Sequence, residues 1–244
     1  MKKASWFESW FDSPYYHLLY KNRNDQEAQE FLDLLLTRIH LPKSSKILDL
    51  ACGKGRHSIH MNQCGYDVIG IDLSEENILH CKKFENDHLQ FYRHDMRRVL
   101  RTHYFDAVFN LFTSFGYFER EYENELVIQS AAKNLQVGGY FILDYLNSNY
   151  AELHLVPSQI KEIEGIKFQI NKKIENGKII KDISFQDQGR TYQFKEEVKI
   201  LYPEDFLRFF AKAGLHVLEI YGDYALENFS LDHSKRLIFV TRKL

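Results

Sequence analysis

The stretch Lys46-Ile47-Leu48-Asp49-Leu50-Ala51-Cys52-Gly53-Lys54-Gly55-Arg56-His57 decides the fold of this chain. A short apolar run carries an acid, and a loop of small residues then leads into a helical pattern. Its two glycines, Gly53 and Gly55, let a ligand approach the backbone without meeting a Cβ atom. The helix that follows presents free N–H groups and its positive end to an anionic or polar ligand.

A second acid stands at the end of the next predicted strand. The run Asp67-Val68-Ile69-Gly70-Ile71-Asp72 ends twenty-three residues after Asp49. In nucleoside-binding α/β sheets, an acid at this position holds a ribose diol. A dinucleotide fingerprint is the weaker interpretation, because its third glycine would fall at position 58, where the chain has Ser58.

The composition limits the classes of function. The chain has 244 residues, 44% of them hydrophobic, which suits one large domain or one domain with an insertion. Its 32 Lys and Arg nearly balance 34 Asp and Glu, so no global charge favours nucleic acid. The three cysteines, Cys52, Cys64 and Cys81, predict neither a disulfide framework nor a zinc site. With no signal-peptide pattern and no membrane-length apolar run, we expect a cytoplasmic protein without a membrane partner.

Strand and helix patterns alternate along most of the chain, which predicts an α/β fold with a doubly wound, mostly parallel sheet. One helix face is expected from Ala28 to Ile39, and further helices over about 55–63, from Glu75, over 120–136 and from Pro203 to Gly214. The seven predicted strands are about 46–50, 66–72, 88–93, 105–110, 140–146, 215–222 and 235–242.

Residues 150–200 interrupt this alternation. They contain three β-like runs, about 164–174, 178–187 and 190–200, and Asn176-Gly177 is a strong hairpin signal between the first two. We expect a small antiparallel β insertion that acts as a lid over the substrate. The core is then 1–149 with 201–244, and the aromatic-rich residues 1–23 form an N-terminal cap.

Ligands of open α/β sheets bind at the carboxyl ends of the parallel strands, which selects candidate site residues. These candidates, in chain order, are Asp49, Ala51, Gly53, Gly55, Asp72, Leu73, Asp95, Met96, Asn110, Leu111, Phe112, Asp144, Tyr145 and Asn147.

Several of these positions match a known pattern. Asp49-x-Ala51-Cys52-Gly53-x-Gly55, followed by Asp72, resembles motif I and its partner acid in class I S-adenosylmethionine (SAM)-dependent methyltransferases, although Ala51 replaces the usual first glycine. The segment Phe112–Phe118 resembles the aromatic segment after motif IV in a bacterial, small-molecule-type subgroup with a β insertion after strand five. This resemblance implies a Rossmann-like class I methyltransferase fold with SAM as cofactor.

The resemblance also implies roles for individual residues. Asp72 is expected to bind both ribose hydroxyls, Asp95 the adenine amino group, and Met96 the adenine ring. A tyrosine and an arginine from the N-terminal segment, here Tyr16 and Arg23, are expected to close over the cofactor, with the guanidinium on its carboxylate. The full predicted cofactor set is Tyr16, Arg23, Asp49, Ala51, Cys52, Gly53, Gly55, Asp72, Leu73, Asp95, Met96, Asn110, Leu111 and Phe112, the last three beside the methionine part.

Methyl transfer from a sulfonium is an in-line displacement that the protein assists mainly by positioning. Neither a metal nor a covalent nucleophile is required, and we predict no metal. Candidate bases are Tyr117, Asp144, Tyr145 and His233, of which Tyr117 and Tyr145 are the predicted catalytic residues. Arg190 and Tyr192 are the predicted substrate-contacting residues of the lid.

The sequence therefore predicts a SAM-dependent methyltransferase acting on the oxygen or nitrogen of a small or medium-sized acceptor. A non-catalytic SAM-binding protein and a nucleotide-dependent oxidoreductase are the alternatives. We expect no nucleic-acid partner, because residues 151–200 carry nine Lys and Arg against eight Asp and Glu. The expected state is a monomer or a homodimer.

Overall fold

The computed structural model describes residues 6–21 and 25–244, which fall into two compact units. The core unit comprises Asn24–Tyr150 and Leu201–Leu244, and the insertion unit comprises Met1–Arg23 and Ala151–Ile200. The sequence interpretation grouped residues 1–23 with the core as its cap.

The described elements are named here in chain order. The helices are α1 (Trp6–Phe11), α2 (Pro14–Leu19), α3 (Asp25–Arg38), α4 (Arg56–Gln63), α5 (Glu75–Cys81), α6 (Glu121–Asn134), α7 (Ser148–Leu153) and α8 (Pro203–Ala213). The strands are β1 (Lys46–Leu50), β2 (Asp67–Asp72), β3 (Leu89–Arg93), β4 (Phe105–Asn110), β5 (Leu135–Leu146), β6 (Ser158–Ile163), β7 (Ile166–Glu175), β8 (Lys178–Asp187), β9 (Arg190–Lys199), β10 (Leu215–Tyr221) and β11 (Arg236–Lys243).

The core unit is built on a seven-stranded sheet in the order β10-β11-β5-β4-β1-β2-β3. Strands β1 to β5 run parallel, and β11 pairs antiparallel with both β5 and β10. Because β1 lies between β2 and β4, the strand order reverses there and opens a crevice at the carboxyl ends of β1 and β4. The predicted fold class is confirmed.

Local sequence explains the helices around this sheet. The predicted apolar side chains of α3 are all buried, including Phe31, Leu32 and Leu35. Ser74 caps α5 by accepting a hydrogen bond from the Asn77 N–H at 3.0 Å. Helix α8 ends at Gly214, whose φ of +71° is the left-handed conformation that glycine adopts without strain.

The insertion unit has its own apolar core on a four-stranded antiparallel sheet in the order β6-β7-β8-β9. Helices α1 and α2 pack on it, and the core joins Trp10 and Leu19 to Phe168, Ile183 and Phe185. The sequence interpretation was wrong in expecting three strands. It missed β6 because the strand is mostly exposed and has no apolar alternation, and it missed the short helix α7.

Within residues 6–21 and 25–244, no helix is both long and apolar enough to cross a membrane.

Candidate functional site

The loop after β1 is held in a conformation that needs small residues. Ala51, Gly53 and Gly55 have φ values of +57°, +56° and +78°. A Cβ on Gly55 would lie 2.9 Å from the Phe91 ring and 3.0 Å from Cys81 Sγ, so both space and backbone require glycine there. A Cβ on Gly53 would meet nothing within 4 Å, so this side of the loop is open to a ligand.

The Asp72 carboxylate is fixed at the end of β2. One oxygen accepts a hydrogen bond from the Gly53 N–H at 2.9 Å, and the other accepts one from the Ser74 N–H at 2.8 Å. A carboxylate oxygen can accept two hydrogen bonds, so these contacts do not prevent Asp72 from also accepting from a ligand diol. The two acids and glycines that the sequence singled out therefore do meet at one edge of the sheet.

Asp49 lies beneath this loop and is almost fully buried. Its carboxylate accepts a hydrogen bond from the Ser58 hydroxyl at 2.6 Å. Burial raises the pKa of Asp49 to about 7, although the Ser58 hydroxyl acts to lower it. Asp49 thus supports the loop from below through Ser58 on α4.

Two thiols also support the loop. Cys81 Sγ donates to the Gly53 carbonyl at 3.3 Å, and Cys52 Sγ approaches the same oxygen at 3.8 Å. Burial raises the pKa of the Cys52 thiol well above its usual value, so the group stays protonated. Cys52 therefore acts here as a small packing residue rather than as a nucleophile.

Asp95 follows β3, and its carboxylate is engaged by Arg97. The guanidinium approaches it at 2.6 Å and also donates to Glu123 at 2.5 Å. Burial acts to raise the pKa of Asp95, but the Arg97 hydrogen bonds outweigh it and hold the pKa below the ordinary value. An adenine amino group would donate to the lone pairs of the Asp95 oxygens that Arg97 does not occupy. Met96, the next residue, is buried, and its predicted contact with adenine stays a prediction.

Asn110 ends β4 at the point where the strand order reverses. Its amide nitrogen donates to the Leu50 carbonyl at 3.2 Å and lies 3.9 Å from Met96 Sδ. Its buried Oδ1 has no hydrogen-bond partner among the described residues. A buried acceptor without a partner is costly, and a donor group on a bound ligand would satisfy it. The neighbouring Leu111 is buried in the core.

Phe112 and Thr113 form a strained turn after β4. Their φ values are +56° and +61°, which non-glycine residues adopt at a cost of about 1–3 kcal/mol each. Asp144 stabilises the turn by accepting the Phe112 N–H at 2.7 Å on its carboxylate and the Thr113 N–H at 3.1 Å on its carbonyl. Arg236 in turn contacts the Asp144 carboxylate at 2.6 Å and the Thr113 hydroxyl at 2.8 Å.

Sequence reasoning missed Arg236 and Tyr224 entirely. Tyr224 lies between β10 and β11, and its hydroxyl is 3.4 Å from Asp144. Burial raises the pKa of Asp144, and the Arg236 charge acts against this rise. Asp144, considered as a base from the sequence, is thus the ion-pair partner of the partly buried Arg236. Only the register of β11 against β5 brings Arg236 to it.

The Phe112 ring lies among other planar groups. It stacks on the His57 ring at 4.7 Å between centroids, with 15° between the planes, and packs on Tyr224 at 5.0 Å. The Arg56 guanidinium lies 4.7 Å from its centroid. The first turn of α4 therefore anchors Phe112, and His57 serves as a stacking partner.

The two predicted catalytic tyrosines differ in environment. Tyr117 is half-buried, and its hydroxyl donates to the Thr113 carbonyl of the strained turn. Tyr145 is fully buried between Phe115 and Phe206, and its hydroxyl lies against Gly116. Leu73 is half-buried, and its carbonyl accepts from Arg93 at 3.1 Å.

The remaining candidates belong to the insertion unit. Tyr16 packs against Trp10 and Phe11 in the aromatic cluster on the sheet. Tyr192 stacks on Phe185 at 5.1 Å, and Arg190 is exposed at the start of β9. Arg23 lies outside the described residues. Their predicted roles stay predictions.

The core residues fit a bound SAM molecule on three observations. Asp72 is a fixed acceptor for a diol, the space beside Gly53 is open, and the buried Asn110 oxygen needs a donor. The strand ends thus supply polar contacts along one edge, as a nucleoside with a polar tail requires.

Comparison with known proteins agrees with this geometry. A family model described as a methyltransferase domain matches residues 41–213. The chain is 33% identical over 130 residues to the dTDP-3-amino-3,4,6-trideoxy-alpha-D-glucopyranose N,N-dimethyltransferase of Streptomyces venezuelae. That match covers 53% of this chain and only 54% of the relative.

A second relative aligns over a longer span. It is the dTDP-3-amino-3,6-dideoxy-alpha-D-glucopyranose N,N-dimethyltransferase of Streptomyces fradiae, 22% identical over 83% of this chain and 82% of the relative. Among solved structures, a SAM-dependent methyltransferase from Clostridium acetobutylicum has a TM-score of 0.79 and 18% identity, covering 94% of this chain and 96% of that one. This structural likeness supports the fold.

We predict that Asp72→Ala weakens SAM binding by about 2–3 kcal/mol, because a charge-assisted contact to the ribose and the anchor of the Gly53 N–H are both lost. Calorimetry measures the effect. The matched control is Asp67→Ala, which removes an acid at the opposite end of β2 that pairs with His88 at 2.6 Å. Unchanged affinity in Asp72→Ala, or an equal loss in the control, would contradict the assignment.

A second prediction concerns pH and Asp49. The folded-state pKa of about 7 lies above the unfolded value near 3.8, so the folded state keeps this proton longer. Its stabilising contribution is complete below about pH 4 and is lost as the pH rises through about 7. Urea unfolding across this range should show wild type losing stability relative to Asp49→Asn, then a constant difference above pH 8. Parallel curves for the two proteins would disprove the shift.

Proposed function

The chain belongs to the methyltransferase domain family, and from that premise we propose that it transfers the methyl group of SAM to the amine of a small sugar-like acceptor. The observation that carries the cofactor assignment is the open Gly53 loop anchored by Asp72. The acceptor class rests on the activities of the two Streptomyces relatives, which are amino-sugar N,N-dimethyltransferases.

For methyl transfer, the main task of the protein is to position the two reactants. A neutral amine would attack the methyl carbon in line while the bond from that carbon to sulfur breaks and releases S-adenosylhomocysteine, and the methylated ammonium would then lose a proton to solvent. The site therefore has to hold the two reactants in line and exclude water. The rigid turn at Phe112 and Thr113, held by Asp144 and Arg236, supplies a fixed wall for this purpose.

We assign Tyr145 as a neutral hydroxyl rather than a base. Burial raises the pKa of Tyr145 well above its usual value, so its hydroxyl keeps its proton. Because Tyr145 has no exposed surface, we propose that it positions the turn through Gly116. Tyr117, bonded to the Thr113 carbonyl, is then the tyrosine that contacts the acceptor.

The acceptor proposal predicts selective methylation of amines. Incubation with SAM and a panel of nucleotide-linked amino sugars, followed by mass spectrometry, should show the gain of one or two methyl groups. The matched substrates are the same sugars with a hydroxyl in place of the amine, which should remain unchanged. Methylation of the hydroxyl analogues would refute the amine assignment. SAM binding without turnover on any acceptor would instead favour the non-catalytic alternative.

We further propose that the insertion unit recognises the acceptor. Its chain leaves the seven-stranded sheet after Leu146, directly beyond Asp144 and Tyr145, and returns at α8. Its cluster of aromatic side chains gives it an independent core. Substitutions in its loops and at its strand ends can therefore change acceptor recognition without disturbing that core. Arg190, exposed at the start of β9, has the planar donor geometry that suits phosphate oxygens of a nucleotide-linked sugar.

This proposal predicts a selective effect of Arg190→Ala. The acceptor KM should rise about tenfold, roughly 1.4 kcal/mol, while the Kd for SAM stays unchanged. The control is Lys173→Ala, another exposed cation of the same sheet, which pairs with Glu175 at 2.9 Å. Loss of SAM binding in Arg190→Ala, or a shift from dimer to monomer with activity intact, would contradict the role in acceptor recognition.

A further inference from the structure

A cluster of three potential metal ligands lies on the helices α3 and α4, apart from the strand ends described above. His60 and Cys64 are four residues apart in and at the end of α4, so they share one face of that helix. Asp33 reaches them from α3. Elsewhere in the described ranges, no other three His, Cys, Asp or Glu side chains bring their ligand atoms this close together.

The distances between the ligand atoms are close to those of a metal site. Cys64 Sγ lies 3.7 Å from His60 Nε2 and 3.6 Å from Asp33 Oδ1, while His60 Nε2 lies 2.8 Å from Asp33 Oδ1. In a tetrahedral Zn²⁺ site with ordinary bond lengths, the sulfur lies about 3.5 Å from a nitrogen or oxygen ligand, and nitrogen lies about 3.3 Å from oxygen. Both distances from Cys64 Sγ already match these values, and the distance between His60 Nε2 and Asp33 Oδ1 must increase by about half an ångström.

The exposure of the three groups suits a bound ion with solvent access. The His60 side chain is only 14% exposed, whereas Asp33 is 55% exposed and can rotate. Water can therefore supply a fourth ligand from the Asp33 side. A mixed nitrogen, sulfur and oxygen donor set is one that Zn²⁺ accepts and that Mg²⁺ or Ca²⁺ does not favour.

Asp33 supplies a carboxylate to the cluster, and the Lys43 ammonium group donates to the Cys64 carbonyl at 2.7 Å. On metal binding, the thiol proton would pass to solvent as the sulfur–metal bond forms.

We propose that Asp33, His60 and Cys64 form a three-ligand site for Zn²⁺ that joins α3 to α4. The two helices are separate in sequence, and a shared ion would replace the present hydrogen bonds among the three side chains by three metal–ligand bonds. Since α4 begins directly after Gly55, the ion would also fix the helix that carries Ser58 and His57. The site lies outside the proposed methyl-transfer chemistry, and its test needs no substrate.

Co²⁺ added to the full-length, metal-free protein is the direct probe, because cobalt bound to a thiolate gives a sulfur-to-metal charge-transfer band. We expect saturable binding of one Co²⁺ with this band, and its displacement by Zn²⁺. Cys64→Ser should abolish the band, and both Cys64→Ser and His60→Ala should weaken Zn²⁺ binding by about tenfold or more. Circular dichroism confirms that the near-isosteric Cys64→Ser variant is folded.

The matched control is His88→Ala, because His88 and Asp67 form an Asp–His pair at 2.6 Å without a thiol. Its Zn²⁺ affinity should equal that of wild type. Zn²⁺ should also raise the thermal midpoint of wild type and His88→Ala, but not of Cys64→Ser. The proposal is overturned if Co²⁺ binding gives no charge-transfer band, if Cys64→Ser keeps wild-type affinity, or if His88→Ala loses as much affinity as the cluster variants.

Discussion

The contact between the buried Asp144 carboxylate and the partly buried Arg236 guanidinium is the constraint on which the candidate site depends. Two consecutive non-glycine residues, Phe112 and Thr113, hold left-handed conformations that they would leave without support. Asp144 accepts from the backbone N–H of Phe112, and Arg236 neutralises that carboxylate and also contacts Thr113. Removing Arg236 would leave the fully buried Asp144 carboxylate without its charged partner, which typically costs several kcal/mol.

The same contact divides the site into two halves with different support. The half over β1, β2 and β3 relies on backbone N–H groups, because Gly53 and Ser74 fix the Asp72 carboxylate. In the half over β4, β5 and β11, the side chains of Asp144 and Arg236 hold the strained turn at Phe112 and Thr113. Asn110 lies at the junction with a free acceptor, which suits a ligand that extends across both halves.

Much of the fold was predictable because buried parallel strands leave a strong sequence signal. β1 and β4 begin and end at the predicted residues, since each is a short apolar run that ends in a polar side chain or a turn. The glycine loop and Asp72 were predictable for a similar reason, because strand ends in this topology must meet at one edge.

The unpredicted features depend on tertiary pairing that no local pattern carries. In the sequence, Arg236 is an ordinary charged residue at the start of a strand. Only the pairing of β11 with β5 shows that it lies near Asp144. Strand β6 is mostly exposed, so its polar sequence gives no alternation. His60 and Cys64 have a helical spacing of four, but the approach of Asp33 to them depends on the packing of α3 against α4.

The helices α1 and α2 of the insertion unit pack on strands that are synthesised much later. Trp10 donates from its indole to Glu196 at 2.7 Å, across 186 residues of sequence. During synthesis α1 and α2 leave the ribosome well before β9, the strand that receives Trp10. Until β9 is made, these aromatic helices lack their partner and present a hydrophobic segment that a chaperone can hold.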